Sequence, residues 1–219
     1  MALLLVVLAA NLGIAARLYI SGTFGQAFFV VTRLWLLGFP LGWFLFIDQG
    51  RITWRLPSRR DFTSGLMLGV LMAGVISIAY LSIGKHWLDA SIIRAAAETV
   101  RLAEPWAYIA FGLYFTFINA LIEEYVWRWF VYQKCAVLLD GKLAVYVAAL
   151  CFTLHHIIAL AGYTSNTLVT VIGSTGVFIA GATWSWCFLR YQSLWACYLS
   201  HALADLAIAL IGWDLLFRS

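Results

Sequence analysis

The chain has 219 residues, 64% of them hydrophobic and only 11% charged, against about 25% charged in ordinary soluble domains. So much apolar surface cannot all be buried in a soluble core, which excludes a water-soluble globular protein and makes the bilayer the main solvent. The 14 Lys plus Arg exceed the 10 Asp plus Glu by +4, a modest excess whose placement marks membrane sidedness rather than nucleic-acid binding.

A span needs about 20 mainly apolar residues, and apolar runs predict spans near 2–19, 26–47, 64–84, 106–131, 143–161, 166–189 and 193–213. The first run lacks the basic region of a secretory signal and is expected to be retained as a span. Between the second and third, DQGRITWRLPSRRDF holds Arg51, Arg55, Arg59 and Arg60 against Asp48 and Asp61. This places the loop in the cytoplasm, the N-terminus inside and the C-terminus outside.

Span three opens with the GxxxG pair Gly65 and Gly69, whose missing side chains allow close helix packing. Residues 85–104 are too polar to span. Leu88, Ile92, Ala96 and Val100 recur there at helical spacing, Arg94 and Glu98 stand at i and i+4, and Pro105 ends the segment. An interfacial amphipathic helix is expected. Trp54, Trp87, Trp106, Trp195 and Trp213 fall near span ends as interfacial anchors. Cys135, Cys151, Cys187 and Cys197 lack CxxC spacing and are expected only to pack. The fold class is all-α: a polytopic transmembrane bundle of about seven spans plus one interfacial helix, forming a single membrane domain over 1–219.

An ionisable group within a span costs about 2.5 to 3.5 kcal/mol or more, so a cluster of them implies function. Span four contains IEEYVWRWF, in which Glu124 and Arg128 are i, i+4 neighbours in the favourable acid-before-base order. Glu124 therefore has a structural partner. Glu123 points about 100° away around the helix and has no evident partner in its own segment. Span five places Phe152 and His156 on one face, and span seven does the same for His201 and Asp205. At about 1.5 Å rise per residue, Glu123 and His201 lie about 12 Å from the cytoplasmic ends of their spans and His156 about 20 Å, all in the inner half or near the midplane.

Glu123, Glu124 and Arg128 (EExxxR), Phe152 and His156 (FxxxH), and His201 and Asp205 (HxxxN/D) resemble, in order, the motifs of the CPBP family of membrane proteases. That group contains the CAAX prenyl-protein endopeptidases and the bacterial Abi-type proteins. The resemblance covers the second half of the chain, a motif-bearing core at about 106–213. It implies an intramembrane endopeptidase in which Glu123 and His156 activate a water while His201 and residue 205 assist the oxyanion. Glu124, Arg128 and Phe152 then support the site. A desolvated carboxylate is a competent general base, and a histidine N–H can donate to a developing oxyanion.

Position 205 departs from the pattern, where Asn is frequent, because ionised Asp only accepts hydrogen bonds. Orientation of His201 by Asp205 is the expected role, as a carboxylate orients a catalytic histidine. Two histidines and two carboxylates could alternatively hold zinc, although no cofactor is expected. HExxH is missing, GSTG at 173–176 departs from the rhomboid-type GxSG, and no GxGD accompanies a second intramembrane Asp. Gly173 to Gly176 read as small-residue packing, and His155, about 100° from His156, as a packing residue. A transporter or an immunity-like, non-catalytic partner built on the same polar residues is the competing class. The expected partners are the lipid bilayer and a membrane-associated protein or peptide, cut from the cytoplasmic side. A short chain without room for a cytosolic domain fits a prokaryotic inner or plasma membrane.

Overall fold

The computed structural model describes residues 1–53 and 55–218 and contains helices and no strands among them; Trp54 lies outside the described residues. Among the described residues seven helices are long and apolar enough to cross a membrane: α1 (Ala2–Tyr19), α2 (Thr23–Phe46), α3 (Arg59–Trp87), α5 (Pro105–Leu138), α6 (Gly141–Thr164), α7 (Thr167–Tyr191) and α8 (Leu194–Phe217). The eighth, α4 (Ala90–Thr99), is the short one. Seven spans and one further helix match the sequence expectation. The chief difference in bounds is α5, which runs on past Lys134 to Leu138 where the expected span stops at 131. Hydropathy ends the span before this lysine, but Lys134 pairs with Asp48 beyond α2.

Local chemistry sets the helix starts. The Ser58 hydroxyl accepts from the Asp61 N–H while the Asp61 carboxylate accepts from the Ser58 N–H, a capping box at 3.1 and 2.8 Å. Pro105 occupies the first turn of α5, where its missing N–H costs nothing. Helices α6, α7 and α8 are joined by two-residue turns of one design. A left-handed residue, Ser165 or Gln192, ends one helix, and an N-cap, Asn166 or Ser193, starts the next. Such short links make consecutive helices antiparallel neighbours.

The α3–α8 contact depends on the glycine pair. A Cβ at Gly65 would lie 2.9 Å from the Ala196 carbonyl oxygen, and one at Gly69 would lie 2.6 Å from Leu203 Cδ1. Absent side chains let two backbones approach. The inner core gathers on the second half of α5, where Val126, Trp127, Phe130, Val131 and Tyr132 meet Phe152 of α6, Trp184 of α7 and Cys197 of α8. Large apolar side chains such as Val70, Leu71, Ile109 and Leu210 remain exposed on the outside, as a lipid-facing surface requires. All four cysteines are free. The arginine-rich loop is tied to the α7–α8 turn. Arg55 donates to the carbonyls of Tyr191 and Gln192 at 3.0 and 3.3 Å, and the Trp195 indole N–H donates to the Arg55 carbonyl at 2.7 Å.

Helix α4 corrects the stripe expected for it. Asp89 caps the helix, so Leu88 falls outside it, and Ile92 and Val100 are exposed. Hydrogen bonds from the Ser91 side chain and backbone hold the Asp89 carboxyl below the usual carboxylate range. The face that packs carries Ile93 and Ala97, against Tyr108 and Leu216. Arg94 donates to the Leu216 carbonyl at 2.7 Å. Docking on α8 outweighs the apolar periodicity because that contact also satisfies a carbonyl at the end of α8.

Candidate active site

The site is built around one α-helical turn, Ala120–Glu124, set between two π-helical stretches of α5, Tyr114–Asn119 and Tyr125–Tyr132. Wide turns of this kind recur at functional positions. With the observed helix bounds, Glu123 and His156 each stand 15 residues from the facing ends of α5 and α6, about 22 Å along each axis. The two side chains therefore meet at one level.

Glu124 is fully buried, and its Oε1 lies 3.2 Å from Arg128 Nη1. The same oxygen accepts from His201 Nδ1 at 2.7 Å. Glu124 therefore links α5 to α8. The Arg128 guanidinium stands 4.5 Å from the centroid of the Phe152 ring and 5.0 Å from that of Trp184. Desolvated cation–π contacts of this kind are worth about 2 kcal/mol. The phenylalanine of the FxxxH pattern thus serves as a seat for the arginine of the first motif.

His201 is wedged in place. Its ring stacks on Trp184 at 4.0 Å and 17° and meets Phe152 edge-on at 6.1 Å. The i, i+4 relation predicts that Asp205 orients it, but the shorter contact is from Glu124. Asp205 Oδ1 is 3.6 Å from Nε2, and Glu123 Oε2 is 3.7 Å from the same nitrogen. Nδ1 faces the buried carboxylate of the Glu124–Arg128 pair, while Nε2 faces Asp205 and Glu123. Asp205 Oδ2 is buried without a hydrogen-bond partner among the described residues.

Glu123 is 6% exposed. Asn119 is buried one turn earlier on the same helix, a polar neighbour that the motif does not reveal. His156 Nδ1–H donates to the Phe152 carbonyl at 3.0 Å. A carbonyl only accepts, so the proton is on Nδ1 and the Nε2 lone pair is free. One atom each of Glu123, His155 and His156 lie within 4.8 Å of one another. His155 packs as expected, its ring 5.1 Å from Trp127 and nearly parallel to it. Its Nδ1, however, is buried without a partner, and the residue lines a small recess beside Glu123. The zinc alternative called for two histidines and two carboxylates, whereas the trio in mutual reach among the described residues is one carboxylate, Glu123, with His155 and His156.

Residues 105–207, just under half of the chain, match the family described as type II CAAX prenyl endopeptidase, Rce1-like. That segment is similar to the CAAX-type endopeptidase family. The matched segment holds every motif residue from Glu123 to Asp205, and the seven apolar helices mark an integral membrane protein. No curated protein and no solved structure matches the chain.

Two residues in or beside the cluster escape the motif reading. Trp184 on α7 stacks on His201, faces Arg128, and is pinned by its indole N–H to Ser200 Oγ at 3.0 Å. A tryptophan in mid-span rather than at an interface is its sequence signal. Arg33 on α2 lines the same recess as Glu123 and His155. It is the sole charged residue between Thr23 and Phe46, which is the cue that motif-matching in the second half of the chain passes over.

Proposed function

We propose that this protein is an intramembrane endopeptidase that hydrolyses a peptide bond in the tail of a membrane-associated protein or peptide, using water activated by Glu123 and His156. The observation that carries this reading is the pairing of a buried carboxylate with a histidine whose Nδ1–H is fixed on the Phe152 carbonyl, a ring nitrogen of that histidine and a Glu123 oxygen lying within 4.8 Å of each other. Glu123 takes a proton as the water oxygen attacks the scissile carbonyl carbon. The proton then passes to the leaving nitrogen as the C–N bond breaks, with His156 orienting the water. Glu124, Arg128, Phe152 and Trp184 hold the surrounding side chains in fixed positions, which is the source of catalytic precision in such a site. The arginine-rich loop supports a reading in which the scissile bond is cut from the cytoplasmic side.

The test uses purified protein in detergent or liposomes and a panel of prenylated and unmodified tail peptides, with products read by mass spectrometry. Glu123→Gln and His156→Ala are each expected to lower kcat by about 10²–10⁴. Unchanged cleavage in both variants would sink the mechanism. A metal-dependent version of the same hydrolysis is favoured by the Glu123, His155 and His156 trio and opposed by the cationic Arg33 beside it. Cleavage abolished by a chelator and restored by zinc would select it.

A further inference from the structure

We propose that Arg33 is a further catalytic residue, donating from its guanidinium to the oxyanion of the tetrahedral intermediate. The proposal rests on the reading of Glu123 as the water-activating base. Arg33 is half-buried in the middle of α2, with its guanidinium 5.0 Å from the centroid of the Phe29 ring. Among the described residues no carboxylate lies within ion-pairing distance of it. Arg128, by contrast, has Glu124. A permanent charge in mid-span without an ion-pair partner is costly. This one faces the reaction centre, in a recess that it shares with Glu123 and His155 and that has room for about one water.

Arg33 is the one permanently charged donor among the described residues that line this recess. His201 gives its Nδ1–H to Glu124, and its Nε2 faces carboxylate oxygens of Glu123 and Asp205 at 3.7 and 3.6 Å. An oxyanion approaching Nε2 would add a third acceptor to that corner. When water attacks, its oxygen bonds to the carbonyl carbon, its proton moves to Glu123, and the C=O π pair moves onto the carbonyl oxygen. The oxyanion and the attacking oxygen are then bonded to the same carbon, so the donor has to line the same recess as the base. Arg33 does. On collapse the pair returns to re-form C=O, the C–N bond breaks, and the proton from Glu123 goes to the leaving nitrogen. Distance decides against a rival role, capture of the tail's terminal carboxylate. In an extended chain each residue beyond the scissile bond moves the terminus about 3.3–3.6 Å away, so only a terminus next to that bond would reach a recess of this size.

Arg33→Met is expected to lower kcat by about 10²–10³, the range for losing an oxyanion donor, with KM within about threefold of wild type. Arg33→Lys should fall between the two, and methylguanidinium should restore part of the activity of Arg33→Ala. The ratio of rates for free-acid and C-terminally amidated peptides should be the same in wild type and Arg33→Met. An unchanged kcat, or a KM rise confined to the free-acid peptide, overturns the proposal. If Arg33→Met fails to fold, as judged by thermal unfolding in detergent, Arg33→Lys decides by the same kcat criterion. Cleavage lost in Glu123→Gln but kept in Arg33→Met overturns this proposal alone, whereas absence of any Glu123-dependent cleavage overturns both.

Discussion

Replacing Arg128 by Met removes a cation held between two aromatic rings and leaves the fully buried Glu124 carboxylate with His201 as its remaining close partner. Breaking one side of a buried pair costs about 3–5 kcal/mol, chiefly because the other charge stays desolvated. About 2 kcal/mol of cation–π interaction is lost with it. The two overlap, since one guanidinium makes both contacts, so the expected total is about 4–5 kcal/mol. Glu124→Gln in the same chain removes the stranded charge, and the double variant should recover at least about 2 kcal/mol. It should not recover activity, because Glu124 Oε1 is also the acceptor that orients His201 Nδ1–H. Reversible unfolding in mixed micelles gives the stabilities, and peptide cleavage gives the rates. Arg128→Met within about 1 kcal/mol of wild type, or a double variant with wild-type turnover, would refute the dual role assigned to Glu124.

Gly65→Ala and Gly69→Ala should each destabilise by about 1–3 kcal/mol in the same unfolding assay, and wild-type stability in both would refute the close α3–α8 packing. The first Cβ meets the Ala196 carbonyl oxygen at 2.9 Å, and the second meets Leu203 Cβ at 2.9 Å and Ser200 Cα at 3.1 Å. Asp205→Asn should retain or raise kcat where Asp205→Ala lowers it, because an amide adds a donor beside His201 and orientation comes from Glu124. A loss in Asp205→Asn equal to that in Asp205→Ala would restore Asp205 as the orienting group, and steady-state cleavage distinguishes the two.

The spans were legible because a run of about 20 apolar residues is both a local signal and a physical requirement of the bilayer. The Glu124–Arg128 pair was legible for a similar reason, since i, i+4 spacing on one helix fixes a face. The contacts between helices were hidden. Sequence spacing predicts Asp205 as the partner of His201 because both share α8, but it carries no information about Glu124, 77 positions away. Arg33 and Trp184 belong to α2 and α7, and only packing brings them to Glu123 and His201. In α4 the periodic stripe is real, yet a neighbouring stripe docks, because hydropathy does not encode which carbonyls need a donor.

The π-helical stretches on both sides of Glu123 and Glu124 have an evolutionary consequence. A π turn closes i to i+5 hydrogen bonds and so holds more residues than an α turn within an unbroken helix. Deleting one residue there would swing every later side chain by about 100°, carrying Arg128 away from Phe152 while the segment stayed as hydrophobic as before. Lineages of this helix can therefore drift freely in their lipid-facing letters, but single-residue insertions and deletions around the acidic pair should be purged.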